Sequence, residues 1–449
     1  MSRNKPIQPP GKTISIQSPG SGPGGGRPIQ PPGAPPGGGF PLRPPGRGIP
    51  IASQPEAPPK PPSGFVPFAL GFRPFFLLGP LWGVVSILVW LVILEGGFMP
   101  AWQLPPGWWH GHEMVFGFVG AMAAGFLLTA VPNWTGGDHL KGRLLAGLVG
   151  VWLAGRLVMG FSHLLPFWLS SGIDLLFLFL VMLATGLPVI QSKRWNQGAF
   201  PALLGLLWCA DVLFHLEGLG VVEDGMRRGL WLGADVVAWI IVIFGGRMLP
   251  MFTRTTLLTR GIDPGVMMKP WVEWGSVISL VLIAVCDLFL AEVSWSGWIF
   301  LLAALIHGVR LAGWQPVKCR IEPLVWVLHL GYGWLIVGFF LRGLSLLWEV
   351  MPMNDALHAQ TVGAIGMLAV GISSRVSLAH TGRPLMASRG VVGVYLALFV
   401  AALVRVLGGW IAPEWLVPLS GLIWIGAFGL FVSIFAPKLL RPRLDGRPG

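Results

Sequence analysis

Nine histidines lie in a chain that is 53% hydrophobic and only 11% charged. Two of them, His112 and His358, open membrane-length apolar runs that align without gaps. The stretch from His112 to Gly136 and that from His358 to Gly382 share glycines at 117/363, 120/366 and 125/371 and an alanine at 123/369. Both close on Thr-Gly, at 135–136 and 381–382. A third stretch fits the frame more weakly, with Arg247 opposite Arg375 and Thr253 opposite Thr381. An imidazole in lipid is costly and is as a rule functional, and neutral imidazole ligates iron, copper and zinc. Two on equivalent helices, at equal depth, predict a metal or haem held between them.

The residues around this pair extend the reading. Glu113 and Asp355 stand near enough to accept the ring N–H groups that orient metal-bound histidines, and Asp355 also reads as the N-cap of its helix. His110 is two residues from His112, so the two do not share a helix face, although at a frayed start both reach one ion. Asp211 and His215 are four apart on one face, a proton relay or a ligand and its acceptor. Arg156, Arg342 and Arg405 would pair the span acids Asp174, Asp211, Asp235 and Asp287, or bind haem propionates. Plainer readings stand beside these. A lone intramembrane histidine can hydrogen-bond a neighbouring helix, and glycines let helices approach as readily as they leave room for a macrocycle.

The elements that must position these residues are transmembrane helices. Mean hydropathy is +0.69, and charged residues fall well below the roughly 25% of soluble domains. Apolar runs long enough to span predict twelve helices, near 74–94, 111–132, 142–161, 170–190, 199–219, 228–250, 272–291, 296–314, 323–347, 356–377, 389–410 and 415–436. The predicted class is an all-α polytopic membrane protein with an internal three-fold repeat of four-helix units, the repeats falling on helices 2, 6 and 10. Lysine and arginine concentrate in the even-numbered connections and at the C-terminal end, which predicts that both termini are cytoplasmic. The net charge of +12 is then topology rather than a nucleic-acid footprint. On this topology His110, His112, His215 and His358 lie toward the outer face, and His329, His307 and His380 toward the inner face.

Residues 1–62 are rich in proline and glycine, with IQPPG at 7–11 and 29–33. They carry too few apolar clusters to offset the entropy of folding and read as a disordered cytoplasmic tail whose protein partner is unknown. They contain no apolar stretch of a cleaved signal peptide. The twelve-helix domain is expected over 63–440 and a basic cytoplasmic end over 441–449. The three cysteines are scattered singly; without CxxC or CxxCH, dithiol redox chemistry, a zinc ribbon and covalent haem attachment are excluded.

Six motifs in order, FRPFFLLG at 72–79, HGHEMVFGF at 110–118, GFLLTAVPNWTG at 125–136, LHLGYGWLIVG at 328–338, HAQTVGAIGM at 358–367 and HTGRPL at 380–385, resemble the NnrS family over about 65–440. The resemblance implies a haem- and copper-containing protein of the bacterial inner membrane, linked to nitric oxide metabolism and resistance to nitrosative stress, with nitric oxide or a nitrosyl species as ligand. It implies b-type haem, and His112, His329, His358 and His380 as leading ligands, with His110 and His215 next for metal. Glu113, Asp355, Arg342 and Asp211 would support them. A looser architectural similarity, to the main subunits of haem–copper oxidases, accords with the three arcs. Leu230 and Asp235 stand where that frame has His112 and Gly117, and helix 7 lacks paired histidines, which weighs against oxygen reduction. Internal repeats and buried acids also fit a transporter for a metal or metal–nitrosyl species.

Overall fold

Long apolar segments in a bilayer must satisfy every backbone N–H and C=O internally, and a helix does so within one segment. The computed structural model of the chain describes residues 64, 66–97, 103–290 and 293–447. The proline- and glycine-rich segment read over 1–62 lies outside the described residues. Among those residues there is no strand, and twelve helices are long and apolar enough to cross a membrane. They are α1 (Phe72–Leu94), α2 (Pro106–Thr135), α3 (Gly142–Gly160), α4 (Phe167–Gln191), α5 (Ala199–Gly218), α6 (Gly225–Leu258), α7 (Pro270–Phe289), α8 (Ser294–Gly313), α9 (Pro323–Trp348), α10 (Met353–His380), α11 (Arg389–Ile411) and α12 (Pro413–Leu439). The chain is therefore the all-α, polytopic membrane protein that its hydropathy predicts.

Burial separates inner from outer helices. The apolar windows of α2, α6 and α10 are 78%, 67% and 67% buried, against 33% for α1, α4 and α12. The three helices that carry the sequence frame are thus the most buried, followed by α9 at 61%. α12 packs on both α11 and α1, which brings the two ends of the helical series together. Arg73 ties this junction, its Nη1 donating to the carbonyls of Leu439 at 2.7 Å and Arg441 at 2.8 Å.

The aligned stretches of α2 and α10 deform in the same place. Each contains a seven-residue π-helical segment, Glu113–Val119 and Ala359–Ile365, beginning one residue after His112 and His358. A π segment holds more residues per turn than an α-helix, and such departures gather at functional sites. Each stretch also ends alike. The hydroxyls of Thr135 and Thr381 bond the carbonyl four residues back, and Gly136 and Gly382 take φ of +75° and +68°, a conformation open to glycine because it lacks Cβ.

Equivalent positions of the three central helices also converge. A chamber of about 90 Å³ is lined by Val119, Val237 and Ile365, and by Met122, Ile240 and Leu368. One turn further along, Phe126, Phe244 and Ile372 line it too, as do Ala123, Ile241 and Ala369. Each trio occupies one position of the sequence frame. The convergence supports three related units, a symmetry we propose on these coincidences. One expectation for α10 needs correction. Asp355 is not its N-cap: that position is Pro352, and Asp355 lies within the first turn. Pro352 has no side-chain acceptor to cap the helix, and an acid in the first turn still opposes the positive end of the helix dipole.

Candidate functional site

His112 and Glu113 stand where α2 passes from α- to π-helix. Both are fully buried, and their side chains meet acids from α4 and α5. His112 Nδ1 lies 3.2 Å from Glu113 Oε1, and its Nε2 lies 3.1 Å from both Asp174 Oδ2 and Asp211 Oδ1. His215, one turn after Asp211 on α5, brings its Nε2 within 3.1 Å of Asp174 Oδ2 and 3.6 Å of Asp211 Oδ1. Its Nδ1 has no hydrogen-bond partner among the described residues. From α3, Arg156 donates to Glu113 Oε2 at 2.7 Å and to Asp174, and Trp82 Nε1 of α1 donates to the same Glu113 oxygen at 2.8 Å. Gly117 makes this possible. A Cβ there would run into the Arg156 guanidinium and Glu113 Oε2.

Charge counting shows what such a centre can do. Three carboxylates, of Glu113, Asp174 and Asp211, face one guanidinium, so neutral imidazoles would leave two negative charges uncompensated. Buried charge without a partner is expensive. Two protonated imidazoles or one divalent cation would balance it. One ligand atom from each of His112, Asp174, Asp211 and His215 lies within 4.8 Å of all the others. Two imidazoles with two carboxylates suit Fe(II), Zn(II), Mn(II) or Cu(II). The set lacks the thiolate and thioether donors that select Cu(I).

Two residues from His112, the helix presents its opposite face. His110 opens onto a second site, a cavity of about 730 Å³ lined by the early turns of α2, α6 and α10 together with α1, α11 and α12, which His358 also lines. His110 stacks on Trp90, centroids 4.8 Å apart and rings 13° from parallel, and its buried Nδ1 has no partner among the described residues. His358 donates from Nδ1 to the Asn354 carbonyl at 2.5 Å. That bond fixes the tautomer that leaves Nε2 as a lone-pair donor. Arg227 and Arg405 line the same cavity. Arg405 also donates to Asp355 at 2.6 Å.

The pair expected from the sequence, His112 with His358, is therefore redistributed. His112 is turned into the carboxylate centre, and it is His110 that shares a cavity with His358. Residues two apart on a helix point about 200° apart, so one helix start feeds two sites. The inner candidates His329 and His380 each have other partners. Both nitrogens of His329 are engaged, Nδ1 with Val325 O at 3.0 Å and Nε2 with Thr253 Oγ1 at 3.1 Å, and the His380 ring rests on Phe72. His329 follows the plainer reading, a histidine bonding to a neighbouring helix. Arg342 belongs to a third polar cluster, pairing with Asp287 and lying 3.7 Å from Asp235 and 3.2 Å from Gln360 Oε1. Asp211 and Glu113 do stand beside histidines. Asp174 and Arg156 join the centre with them, and their one sequence signal is an ionisable residue inside an apolar span.

Fold and site together define a multi-pass helical membrane protein with a buried histidine–carboxylate cluster able to hold a metal ion. The chain matches the family model described as NnrS protein over residues 66–443; it belongs to the NnrS family. No curated protein matches it.

Proposed function

We propose that this chain is a haem- and copper-binding protein of the bacterial inner membrane, with both termini cytoplasmic, acting in nitric oxide metabolism or resistance to nitrosative stress. The observation that carries the cofactor is the cavity that α2, α6 and α10 line together with α1, α11 and α12. Two imidazoles from different helices open onto it, one with an orphaned buried nitrogen and the other with its tautomer set. A b-type haem suits this space. Its volume falls within the roughly 300–1,000 Å³ of ligand pockets, and its wall is largely apolar; Arg227 and Arg405 also line it, each paired with an acid of its own, Asp224 and Asp355. His110 and His358 would hold the iron, which when bound would supply a ligand position or an electron for nitric oxide. The centre at His112, Asp174, Asp211 and His215 would hold a second metal, Cu(II) or Fe(II) by its donors.

Transport of a metal or metal–nitrosyl complex is less well supported. The chamber midway along the central helices is walled by carbon and offers a charged cargo nothing to bind.

Visible spectroscopy and metal analysis of the purified protein test the proposal. Wild type should show a Soret band. His110→Ala and His358→Ala should each lose or shift it, whereas His112→Ala should keep it and lose non-haem metal. Absence of haem from wild type, or a spectrum indifferent to both His110 and His358, would sink the reading.

A further inference from the structure

The chamber between α2, α6 and α10 has a composition unlike either polar site. Its lining is aliphatic and aromatic, and the one residue in its wall with a polar side chain is Tyr332. That hydroxyl is turned away, 2.6 Å from His307 Nδ1 and 3.0 Å from Arg310 Nη1. A buried water needs two to four polar partners, and this wall supplies none. At about 90 Å³ the chamber is smaller than the apolar cavity of roughly 150 Å³ that stays dry and takes up benzene or xenon.

Position gives the chamber its meaning. Val115, Ala234 and Val362 line the histidine cavity; Val119, Val237 and Ile365, three or four residues further along the same helices, line the chamber. At 1.5 Å per residue the two spaces are about 5–6 Å apart along the helices. The π-helical segments Glu113–Val119 and Ala359–Ile365 run along the join.

We propose that this chamber is a binding site for an uncharged diatomic gas, held dry beside the histidine cavity. The gas is nitric oxide, an identity that rests on the function proposed above. A small apolar molecule partitions into lipid and enters a carbon-lined space without losing hydrogen bonds, whereas water and ions entering it would lose theirs. Gas is thereby concentrated next to the cofactor cavity while solvent is kept out.

Two measurements test the site without relying on any cofactor. Crystals of the intact protein pressurised with xenon should show a xenon peak between Met122, Ile240 and Leu368. In protein carrying labelled methionine methyls, dissolved nitric oxide, a paramagnet, should enhance relaxation of the Met122 methyl more than that of Met251, which is 46% exposed on α6. Ala123→Ile with Ala369→Ile should abolish both signals. Ile241 already occupies that frame position on α6, so the change fills the chamber with a side chain the architecture accepts. Lack of xenon in wild type, lipid or detergent filling the chamber, or a Met122 enhancement no greater than that of Met251 would overturn the proposal. A variant that fails to fold leaves the wild-type xenon and relaxation results to decide. Haem-free protein that still binds xenon and nitric oxide here would refute the cofactor reading and leave the chamber standing.

Discussion

Arg156 holds the two outer carboxylates of the buried centre, Glu113 and Asp174, so that their remaining oxygens face His112 and His215. Removing one partner of a buried ion pair typically costs about 3–5 kcal/mol because the other charge is left bare. Arg156→Ala should therefore lower stability by about that amount, read as a fall in thermal midpoint in detergent. Asp211→Asn should act differently. It keeps shape and volume but removes a ligand and a negative charge, so the expected outcome is loss of non-haem metal with the Soret band unchanged. Metal uptake should also fall as the medium is acidified, because protons and metal compete for the same imidazole and carboxylate atoms. Metal content of wild type that is unaffected by Asp211→Asn would show that the cluster is a self-contained charge network.

At the scale of the element, the two π-helical segments decide where the histidines point. A π segment carries extra residues in its turn, so the helix after it is rotated relative to an unbroken α-helix. Deleting Ala359 should relax the second segment toward α-helix and turn His358 by about 100° relative to the rest of α10. The haem spectrum should then resemble that of His358→Ala while the helical content stays that of wild type. A wild-type spectrum after this deletion would show that the π geometry does not aim the ligand. α6 carries no such segment across Gly225–Leu258, in keeping with Leu230 at the position equivalent to His112 and His358.

Over the whole molecule, three buried helices form a core along which polar and apolar sites alternate. The carboxylate centre lies where α2 meets α3, α4 and α5, the histidine cavity lies toward the starts of α2 and α10, the carbon-walled chamber lies further along the same helices, and the surrounding helices present apolar surface outward. Leu302 and Leu305 of α8 are 53% and 65% exposed, and Leu396 of α11 is 52% exposed, as faces in contact with lipid would be. The charge bias of the connections predicts both termini on the cytoplasmic side, so reporter fusions at residues 1 and 449 should both give the cytoplasmic signal. A signal from opposite sides would displace the histidine cavity from the outer face. Deleting residues 1–62 is expected to leave the haem spectrum intact, because every histidine and acid of the two proposed sites lies beyond residue 62.

Helix number and class were legible in the residues, because an apolar run in a bilayer has one local solution. The acids of the centre were visible as charges in apolar spans, and Asp211 with His215 was legible as one helix face. Partnership was not. Asp174 lies sixty-two residues from His112 and Arg156 forty-four, and only the packing of α3, α4 and α5 against α2 brings them together. Tertiary structure likewise decided that His110, not His112, shares a cavity with His358, since the side chain that faces a neighbour depends on helix rotation. The frame aligns residues of α2, α6 and α10; only their packing placed those residues around one carbon-walled space.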